Sequence, residues 1–301
     1  MAQRVLVGGG TGFVGRYVCR TLENAGYKSL IISRNPKTEN HLTWDEIEST
    51  GLPENLKAVI NLAGEPVLNP FKRWDEAFQK TIHDSRIGTT NLLKKAIMNS
   101  KNPPNVFVTM SAVGFYPPDQ VKLYDEYSSP TTSDYWSKFT TNWEAAGKFP
   151  SDFNEVRHVI VRCGVVLERD GGALQQMLPS FWTGFGGRYG CGTQWFPWIH
   201  ADDIAGIFLH AVENSDVEGV LNGVAPEANT NSQFANTLGT AMWRPSLIPL
   251  PAFVLRAMFG SPRSSMLLEG QNVYPKRTLE SGYQFKYPTL ESALTKIIRS
   301  K

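Results

Sequence analysis

A glycine cluster directly after the first apolar run constrains what this chain can fold into. Residues 4–7 (RVLV) have strand character, residues 8–15 (GGGTGFVG) form a turn signal, and apolar residues from position 14 to 25 recur at helical spacing. The cluster contains G-x-G-x-x-G from Gly10 to Gly15 and G-x-x-G-x-x-G from Gly9 to Gly15. A strand, a glycine turn and a helix in this order predict a dinucleotide-binding βα unit.

The chemistry of a diphosphate explains this pattern. A pyrophosphate reaches the main chain only where no Cβ intrudes, and free N–H groups at the positive end of a helix then neutralise its charge. Gly9, Gly12 and Gly15 supply the bare backbone, and the predicted helix begins beside them. We therefore expect the opening turn to hold the phosphates of a nicotinamide dinucleotide.

Composition restricts the class of protein. The chain has 301 residues and a net charge of +2, which gives no reason to expect nucleic acid or an acidic membrane as a partner. Its three cysteines are far apart, which argues against a disulfide framework or a metal site. We find no signal-peptide pattern and no apolar run near the ~18 residues of a membrane span. The expected compartment is the cytoplasm, with an organelle as the open alternative.

Strand and helix signals alternate along the first half of the chain, which predicts an α/β fold with a Rossmann-type, doubly wound parallel sheet. Strands are expected at residues 28–33, 58–64, 106–111, 158–167 and 219–224, and helices at 74–99, 135–148, 173–183, 252–259 and 290–298. Residues 117–134 are expected to form a polar loop, and Asp202 to cap a helix. We expect a nucleotide-binding domain over 1–165, rejoined by the late strand, and a smaller substrate lobe over 166–301.

The end of the second predicted strand indicates which dinucleotide is preferred. NAD-binding units usually carry an acidic residue there for the ribose 2′-OH, whereas this chain has Ser33 and Arg34. A guanidinium beside a hydroxyl suits a 2′-phosphate, so NADP(H) is the expected cofactor. The alternative is that Arg34 is only a solvated loop residue.

Four ordered blocks give the chain its resemblance to a known family. It resembles an extended, atypical short-chain dehydrogenase/reductase of the divergent epimerase-like branch, whose members carry GGGTGFxG, NLAGE, FPWIHxxD and LLEGQ followed by RTL and GY. Here these blocks are residues 8–15, 61–65, 196–202 and 267–271, with 277–279 and 282–283.

This resemblance implies an NADP(H)-binding domain, a smaller C-terminal lobe and a set of cofactor contacts. By position it places the phosphates at Thr11, Gly12, Phe13 and Val14, the 2′-phosphate at Ser33 and Arg34, adenosine or ribose around Leu62, Ala63, Gly64 and Glu65, a further contact at Arg86, and the nicotinamide near Arg162, Gly164 and Val165. Arg86 has the alternative of being a surface charge.

The catalytic pattern departs from that of the wider family, which uses a Ser or Thr with Tyr-x-x-x-Lys. Ser111 and Lys138 match, but Asp134 occupies the tyrosine position and Tyr135 lies one residue away. Tyr135 shares a helix face with Lys138, although about 100° of rotation separates it from the usual place. Tyr116 is the other candidate proton donor. Alternatively, Tyr135 and Tyr116 only pack against other residues. Lys138 could equally hold the nicotinamide ribose without any proton transfer.

Three functions stay open at this point. The first is an oxidoreductase in which Ser111 polarises a small carbonyl or hydroxyl substrate, Tyr135 or Tyr116 donates the proton and Lys138 assists. The second is a protein that holds NADPH as a sensor or scaffold without turnover. The third and weakest is a nucleotide-sugar epimerase. The substrate is not identified, and either a monomer or a homodimer is expected.

Overall fold

A computed structural model describes residues 3–299 of the chain and contains a seven-stranded parallel sheet. Its strands are β1 Arg4–Gly8, β2 Lys28–Ile32, β3 His41–Leu42, β4 Leu56–Asn61, β5 Val106–Ala112, β7 Arg157–Cys163 and β10 Gly219–Gly223, in the order β10-β7-β5-β4-β1-β2-β3. From β1 the chain first adds β2 and β3 on one side, and then adds β4, β5, β7 and β10 on the other side. The doubly wound Rossmann-type prediction is therefore confirmed.

Helices cover both faces of this sheet, because its strands alternate their side chains between two apolar layers. They are α1 Phe13–Asn24, α2 Trp44–Thr50, α3 Glu76–His83, α4 Thr89–Met98, α5 Tyr135–Gly147 and α7 Ala201–Glu213. In β1, Val5 and Val7 pack with the apolar face of α1 and α7, whereas Leu6 packs with α2 and α4. Both α7 and β10 come from the second half of the chain, so that half helps to build the main sheet layers.

A smaller lobe adjoins the sheet. It contains β6 Asp119–Tyr124 paired with β11 Gln271–Val273, β8 Val165–Glu168 paired with β9 Trp198–His200, and helices α6 Gly172–Trp182, α8 Asn231–Met242, α9 Ala252–Phe259, α10 Ser265–Leu268, α11 Lys276–Glu280 and α12 Leu290–Arg299. Leu178, Phe234 and Leu294 join α6, α8 and α12 in one buried cluster. None of the helices between residues 3 and 299 is both long and apolar enough to cross a bilayer.

Two predicted segments prove to be interrupted. The helix expected over 74–99 begins after the Asp75 cap and contains a π-helical turn at Asp84–Gly88, between α3 and α4. The strand expected over 158–167 breaks at Gly164, and β8 enters a different sheet. A Cβ at Gly164 would lie 2.5 Å from the Pro197 carbonyl oxygen, so the close approach of the 197 segment explains the break.

Three other local predictions were wrong or incomplete. The stretch 117–134 was expected to be a loop but contains β6, whose partner β11 lies far away in sequence. Asp202 does not cap α7, because the helix begins one residue earlier, at Ala201. The N-cap is His200, whose side chain accepts a hydrogen bond from the Asp202 main-chain N–H. Helix α8 was not predicted, although Thr230 and Gln233 form a capping box at its start.

Candidate functional site

The candidate site lies at the point where the strand order reverses. Gly8, the last residue of β1, pairs with Ile32 of β2 on one side and with Asn61 of β4 on the other. The connections that follow β1 and β4 cross to opposite faces of the sheet, and a crevice opens between them beyond the carboxyl ends of the strands. The loops after β1, β2 and β4 border that crevice.

The loop after β1 is built so that side chains cannot fill it. Gly9 has a φ of +76°, and a Cβ there would lie 2.9 Å from the main-chain nitrogen of Ala63. The Gly12 N–H donates to the Gly9 carbonyl at 3.0 Å, which closes the turn. A Cβ on Gly15 would overlap that same carbonyl oxygen. Gly9 and Gly15 are required because main chain approaches main chain there, whereas a Cβ on Gly12 would make a tight contact of 3.2 Å with the Gly9 carbonyl oxygen.

Helix α1 presents an open N-terminus to this loop. Gly12 is its N-cap and offers no side-chain hydrogen bond, and the first turn contains no Asp or Glu. The positive end of the helix dipole therefore faces the crevice without a competing carboxylate from this turn. Thr11 is exposed beside it, and Phe13 and Val14 are half-buried. Such an arrangement fits the charge and size of a diphosphate.

A second basic element borders the crevice after β2. Ser33 is buried, and its hydroxyl accepts a hydrogen bond from the Asn35 N–H at 3.1 Å. Arg34 is exposed, and its Nη1 lies 3.3 Å from Glu65 Oε2. This ion pair holds the guanidinium across the crevice entrance, between the β2 and β4 loops.

Glu65 connects that arginine to the π-helical turn. The Glu65 N–H donates to Ser85 Oγ at 3.0 Å, and Arg86 Nη1 donates to the Glu65 carbonyl at 2.9 Å. Arg86 also lies over the Trp143 ring and against Gly64, where a Cβ would be 3.1 Å from its guanidinium carbon. Burial lowers the pKa of Arg86 to about 10, opposed by the Glu65 carboxylate, so it remains charged at neutral pH. The π turn thus orders the loop after β4.

Hydrogen bonds of the Asn61 side chain fix the main chain where β4 ends. The Asn61 side-chain amide donates from Nδ2 to the hydroxyls of Thr89 and Thr90 at 3.1 and 2.9 Å, and its Oδ1 accepts from the Ala63 N–H at 3.1 Å. The Leu62 N–H donates to the Gly8 carbonyl at 2.8 Å. The loop carrying residues 62–65 is therefore preorganised along one wall of the crevice.

A buried charged network lies under the ends of β5 and β7. Arg162 and Glu144 form a bidentate ion pair with N–O distances of 2.8 and 2.9 Å. Ser111 Oγ donates to the same carboxylate at 2.8 Å, and Arg162 Nη1 donates to the Tyr116 hydroxyl at 2.8 Å. All four residues are almost completely buried. Their polar groups therefore bind one another inside the protein.

The Tyr116 hydroxyl has no spare position for a substrate. Besides Arg162, it lies 2.9 Å from both the Asp125 carbonyl oxygen and Asn222 Oδ1, two acceptors that compete for its single proton. Burial raises the pKa of Tyr116 to about 12, although the Arg162 charge opposes this shift. Both predicted oxygen donors, Ser111 and Tyr116, are thus engaged in the network as the protein stands.

The other two catalytic candidates lie on the first turn of α5 and are exposed. Asp134, at the position of the family's usual tyrosine, is the N-cap and accepts the main-chain N–H groups of residues 136 and 137. Tyr135 is 40% exposed, its ring contacts Trp74 and Trp136, and partial burial raises its pKa. Lys138 is exposed and makes no hydrogen bond or ion pair with its side chain to another residue in the described range.

The residues predicted at the nicotinamide end are placed in two different ways. Arg162 is buried, and its guanidinium binds Glu144 and Tyr116. Gly164 and Val165 follow the end of β7, where the Val165 N–H donates to the Pro197 carbonyl at 2.8 Å. The main chain at these two residues borders the carboxyl end of the sheet.

Sequence reasoning missed Glu144, Asn222 and the role of Ser85 as a ligand of the β4 loop. Glu144 had a readable signal, because it continues the inward stripe of α5 formed by Ser137 and Thr140 at helical spacing. A carboxylate on a buried stripe needs a cationic partner, and the strand after α5 carries Arg162. The sequence contains no comparable signal for Asn222, which comes from a strand far along the chain.

Two protein-family models together match most of the chain. The NAD dependent epimerase/dehydratase family matches residues 5–222, and a domain of unknown function, DUF1731, matches residues 250–297. The first match covers the main sheet and its crevice, whereas the second covers helices α9 to α12 of the smaller lobe.

Relatives of similar length support the same assignment. The human epimerase family protein SDR39U1 is 49% identical over 98% of this chain and 99% of its own, and the Bacillus subtilis epimerase family protein YfhF is 33% identical over 97% and 98%. The crystal structure of the human protein with NADPH has a TM-score of 0.96 at 48% identity, covering 99% of this chain and 100% of that one. A nucleoside-diphosphate sugar epimerase from Corynebacterium glutamicum, 24% identical with a TM-score of 0.78 over 99% of this chain and 58% of its own, shares the fold. The predicted resemblance is confirmed, and the chain belongs to the NAD dependent epimerase/dehydratase family.

Proposed function

We propose that this protein binds NADPH in the crevice between the loops after β1, β2 and β4. The observation that carries the proposal is the cradle formed by Gly9, Gly12 and Gly15, where a Cβ at Gly9 or Gly15 would collide with main chain and α1 presents an uncapped N-terminus. The human relative of 48% identity, solved with NADPH, supports the same cofactor here. When bound, the nicotinamide supplies or accepts a hydride.

Arg34 is the residue that we propose for the extra phosphate. It is exposed at the crevice entrance and already held there by Glu65. A guanidinium donates two charge-assisted hydrogen bonds to a phosphate, whereas a ribose 2′-OH offers it no negative charge. NADPH should therefore bind more tightly than NADH.

The cofactor proposal is tested by thermal unfolding with each nucleotide at equal concentration. We expect NADPH to raise the melting temperature by several degrees more than NADH, since tighter binding to the folded state raises its stability. Arg34→Ala should weaken NADPH binding about tenfold and leave NADH binding nearly unchanged. Arg20→Ala is the matched control, because Arg20 is also exposed but pairs with Asp202 on α7. Equal shifts from the two nucleotides would contradict the proposal.

The geometry favours NADPH binding that does not depend on the usual serine and tyrosine. Ser111 and Tyr116 both bind the buried Glu144–Arg162 pair, so polarising a substrate oxygen would require breaking that network. The second candidate function is an NADP(H)-dependent oxidoreductase in which Tyr135 donates the proton and Lys138 assists. Its support is that both of these side chains are exposed on the first turn of α5.

Turnover is tested with 4-deuterated NADPH and a panel of aldehydes and ketones, measuring deuterium in the products. For an oxidoreductase, Tyr135→Phe and Lys138→Ala should each reduce the rate by about a hundredfold, the usual contribution of general acid catalysis. If both variants keep the full rate, these residues are not the proton donor and its support. No transfer with any substrate, together with normal NADPH binding, favours the sensor or scaffold function.

A further inference from the structure

The smaller lobe carries an exposed apolar face that the nucleotide site does not use. We define this face by six side chains from the end of α6, the loop after it and residues 243–253: Trp182, Phe185, Trp243, Leu247, Ile248 and Phe253. Trp243, Leu247 and Phe253 are exposed by 82%, 81% and 71%. Single exposed apolar residues are ordinary, but an assembled group of this size indicates an interaction surface.

Direct contacts hold the two segments of this face together. Arg244 Nε donates to the Trp182 carbonyl at 3.2 Å, and the main chain of Ile248 lies so close to Gly187 that a Cβ there would overlap it. A β-bridge joins Tyr189 to Leu250 beside them. The side chains of the face therefore belong to one continuous region of the lobe.

The charged side chains of the two chain segments that carry the face are all positive. Residues 171–201 and 228–268 contain no Asp, Glu or Lys, and their arginines are Arg188, Arg244, Arg256 and Arg263. Arg263 is buried, whereas the other three are exposed. On α9, Arg256 is three residues from Phe253 and thus shares its side of the helix. The net charge of +2 for the whole chain does not reveal that these two segments carry only positive charge.

The apolar face is distant from the crevice. Helix α6 begins at Gly172, where Phe13 of the glycine turn packs against it, and ends ten residues later at Trp182. With a rise of about 1.5 Å per residue, the helix separates its two ends by roughly 15 Å. The face and the glycine turn therefore lie at opposite ends of α6.

We propose that the apolar face binds the surface of an anionic lipid bilayer. Tryptophan, phenylalanine and leucine side chains insert at the boundary between headgroups and acyl chains, while arginines bind lipid phosphates. A lipid surface is favoured over a protein partner because the two chain segments that carry the face, residues 171–201 and 228–268, contain no carboxylate side chain. A carboxylate would be repelled by anionic headgroups, whereas protein interfaces commonly accommodate both signs of charge.

The test is flotation of the full chain with phosphatidylcholine vesicles that contain or lack phosphatidylglycerol. We expect binding to the anionic vesicles that decreases as salt is added, because the arginine attraction is screened. The double variant Trp243→Ser, Phe253→Ser should reduce partitioning at least about tenfold. Arg244→Gln and Arg256→Gln should each reduce it about fivefold.

Val121→Ser is the matched control, since Val121 is 89% exposed but lies on β6, outside the face. Unchanged melting temperatures and NADPH binding would establish that the variants fold. Absence of flotation, or equal flotation of the double variant, would overturn the proposal. It would also be overturned if the wild-type chain forms dimers that Trp243→Ser abolishes while vesicles bind neither form, because a second copy would then cover the face.

Discussion

At the scale of single residues, Glu144 is a buried carboxylate under the ends of β5 and β7. Its carboxylate accepts three hydrogen bonds, two from Arg162 and one from Ser111. Removing one member of a buried ion pair is costly because the other charge is left without a partner. The pair is therefore a strong constraint on this sequence, whatever the protein's activity.

We predict that Glu144→Ala lowers the free energy of unfolding by about 3–5 kcal/mol, the usual range for a buried charge that loses its partner. Ser111→Ala, which removes only one hydrogen bond from the same carboxylate, should cost about 1 kcal/mol. Urea unfolding of the three proteins measures both differences. Similar values for the two variants would mean that Arg162 finds another partner or water when Glu144 is lost.

At this scale the sequence predicted important positions better than their contacts. Ser111, at the end of the central strand, was expected to polarise a substrate oxygen, and Tyr116, on the following loop, was expected either to donate a proton or only to pack. Instead they bind Arg162 and Glu144, which come from the next strand and helix. Side-chain partners depend on how the elements pack, which residue spacing does not encode.

At the scale of elements, α7 has an N-cap that depends on protonation. His200 is buried, and its Nδ1 accepts the N–H of residue 202, which requires an unprotonated nitrogen. Burial lowers the pKa of His200 to about 4, and burial likewise lowers that of His158 on β7 to about 4. Both rings are therefore neutral in the folded protein near neutral pH.

We predict that stability falls as the pH decreases from about 6.5 to about 4. In this window the unfolded chain binds protons on these histidines and the folded chain does not, so protonation favours unfolding. For His200 the loss at pH 5 is about 2 kcal/mol, since each pKa unit corresponds to about 1.4 kcal/mol. Urea titrations at several pH values measure it.

The variant His200→Ser provides the comparison, because serine caps a helix without titrating in this range. Its stability should depend less on pH between 6.5 and 4 than that of the wild type. A pH dependence as steep as that of the wild type would exclude His200 as a source of acid sensitivity.

The prediction of helix α5 succeeded because its signal was local. Helix α5 was expected over 135–148 and is observed at Tyr135–Gly147, because its apolar spacing and the Asp134 cap lie within a few residues. Strand β6 was missed, since it pairs with β11 from the far end of the chain and exposes most of its side chains. A strand whose partner is so distant has no local pattern to identify it.

At the scale of the whole molecule, Arg263 connects the smaller lobe to the sheet domain. It is buried, and its Nη1 donates to the carbonyls of Asn69 and Lys72 at 3.0 and 2.9 Å, while its Nε donates to Phe259 at 2.8 Å. The loop after β4, which borders the crevice, is thereby attached to the region between α9 and α10.

We predict that Arg263→Ala speeds amide hydrogen exchange across residues 69–74 and lowers the free energy of unfolding by about 2 kcal/mol, because two loop carbonyls lose a charged donor. Arg256→Ala, on the exposed side of α9, should change neither quantity. If exchange in the loop stays at the wild-type rate, the loop is held by other contacts.

The sequence by itself determined the doubly wound sheet, the glycine turn and the family, because each depends on short patterns in which residue type and spacing carry the physical reason. Only the tertiary structure decided that Ser111 and Tyr116 bind a buried ion pair, that His200 caps α7, and that the segments carrying Trp182 and Trp243 lie side by side in the smaller lobe. These features join residues that are far apart along the chain, and such contacts form only when the packing of the elements brings the residues together.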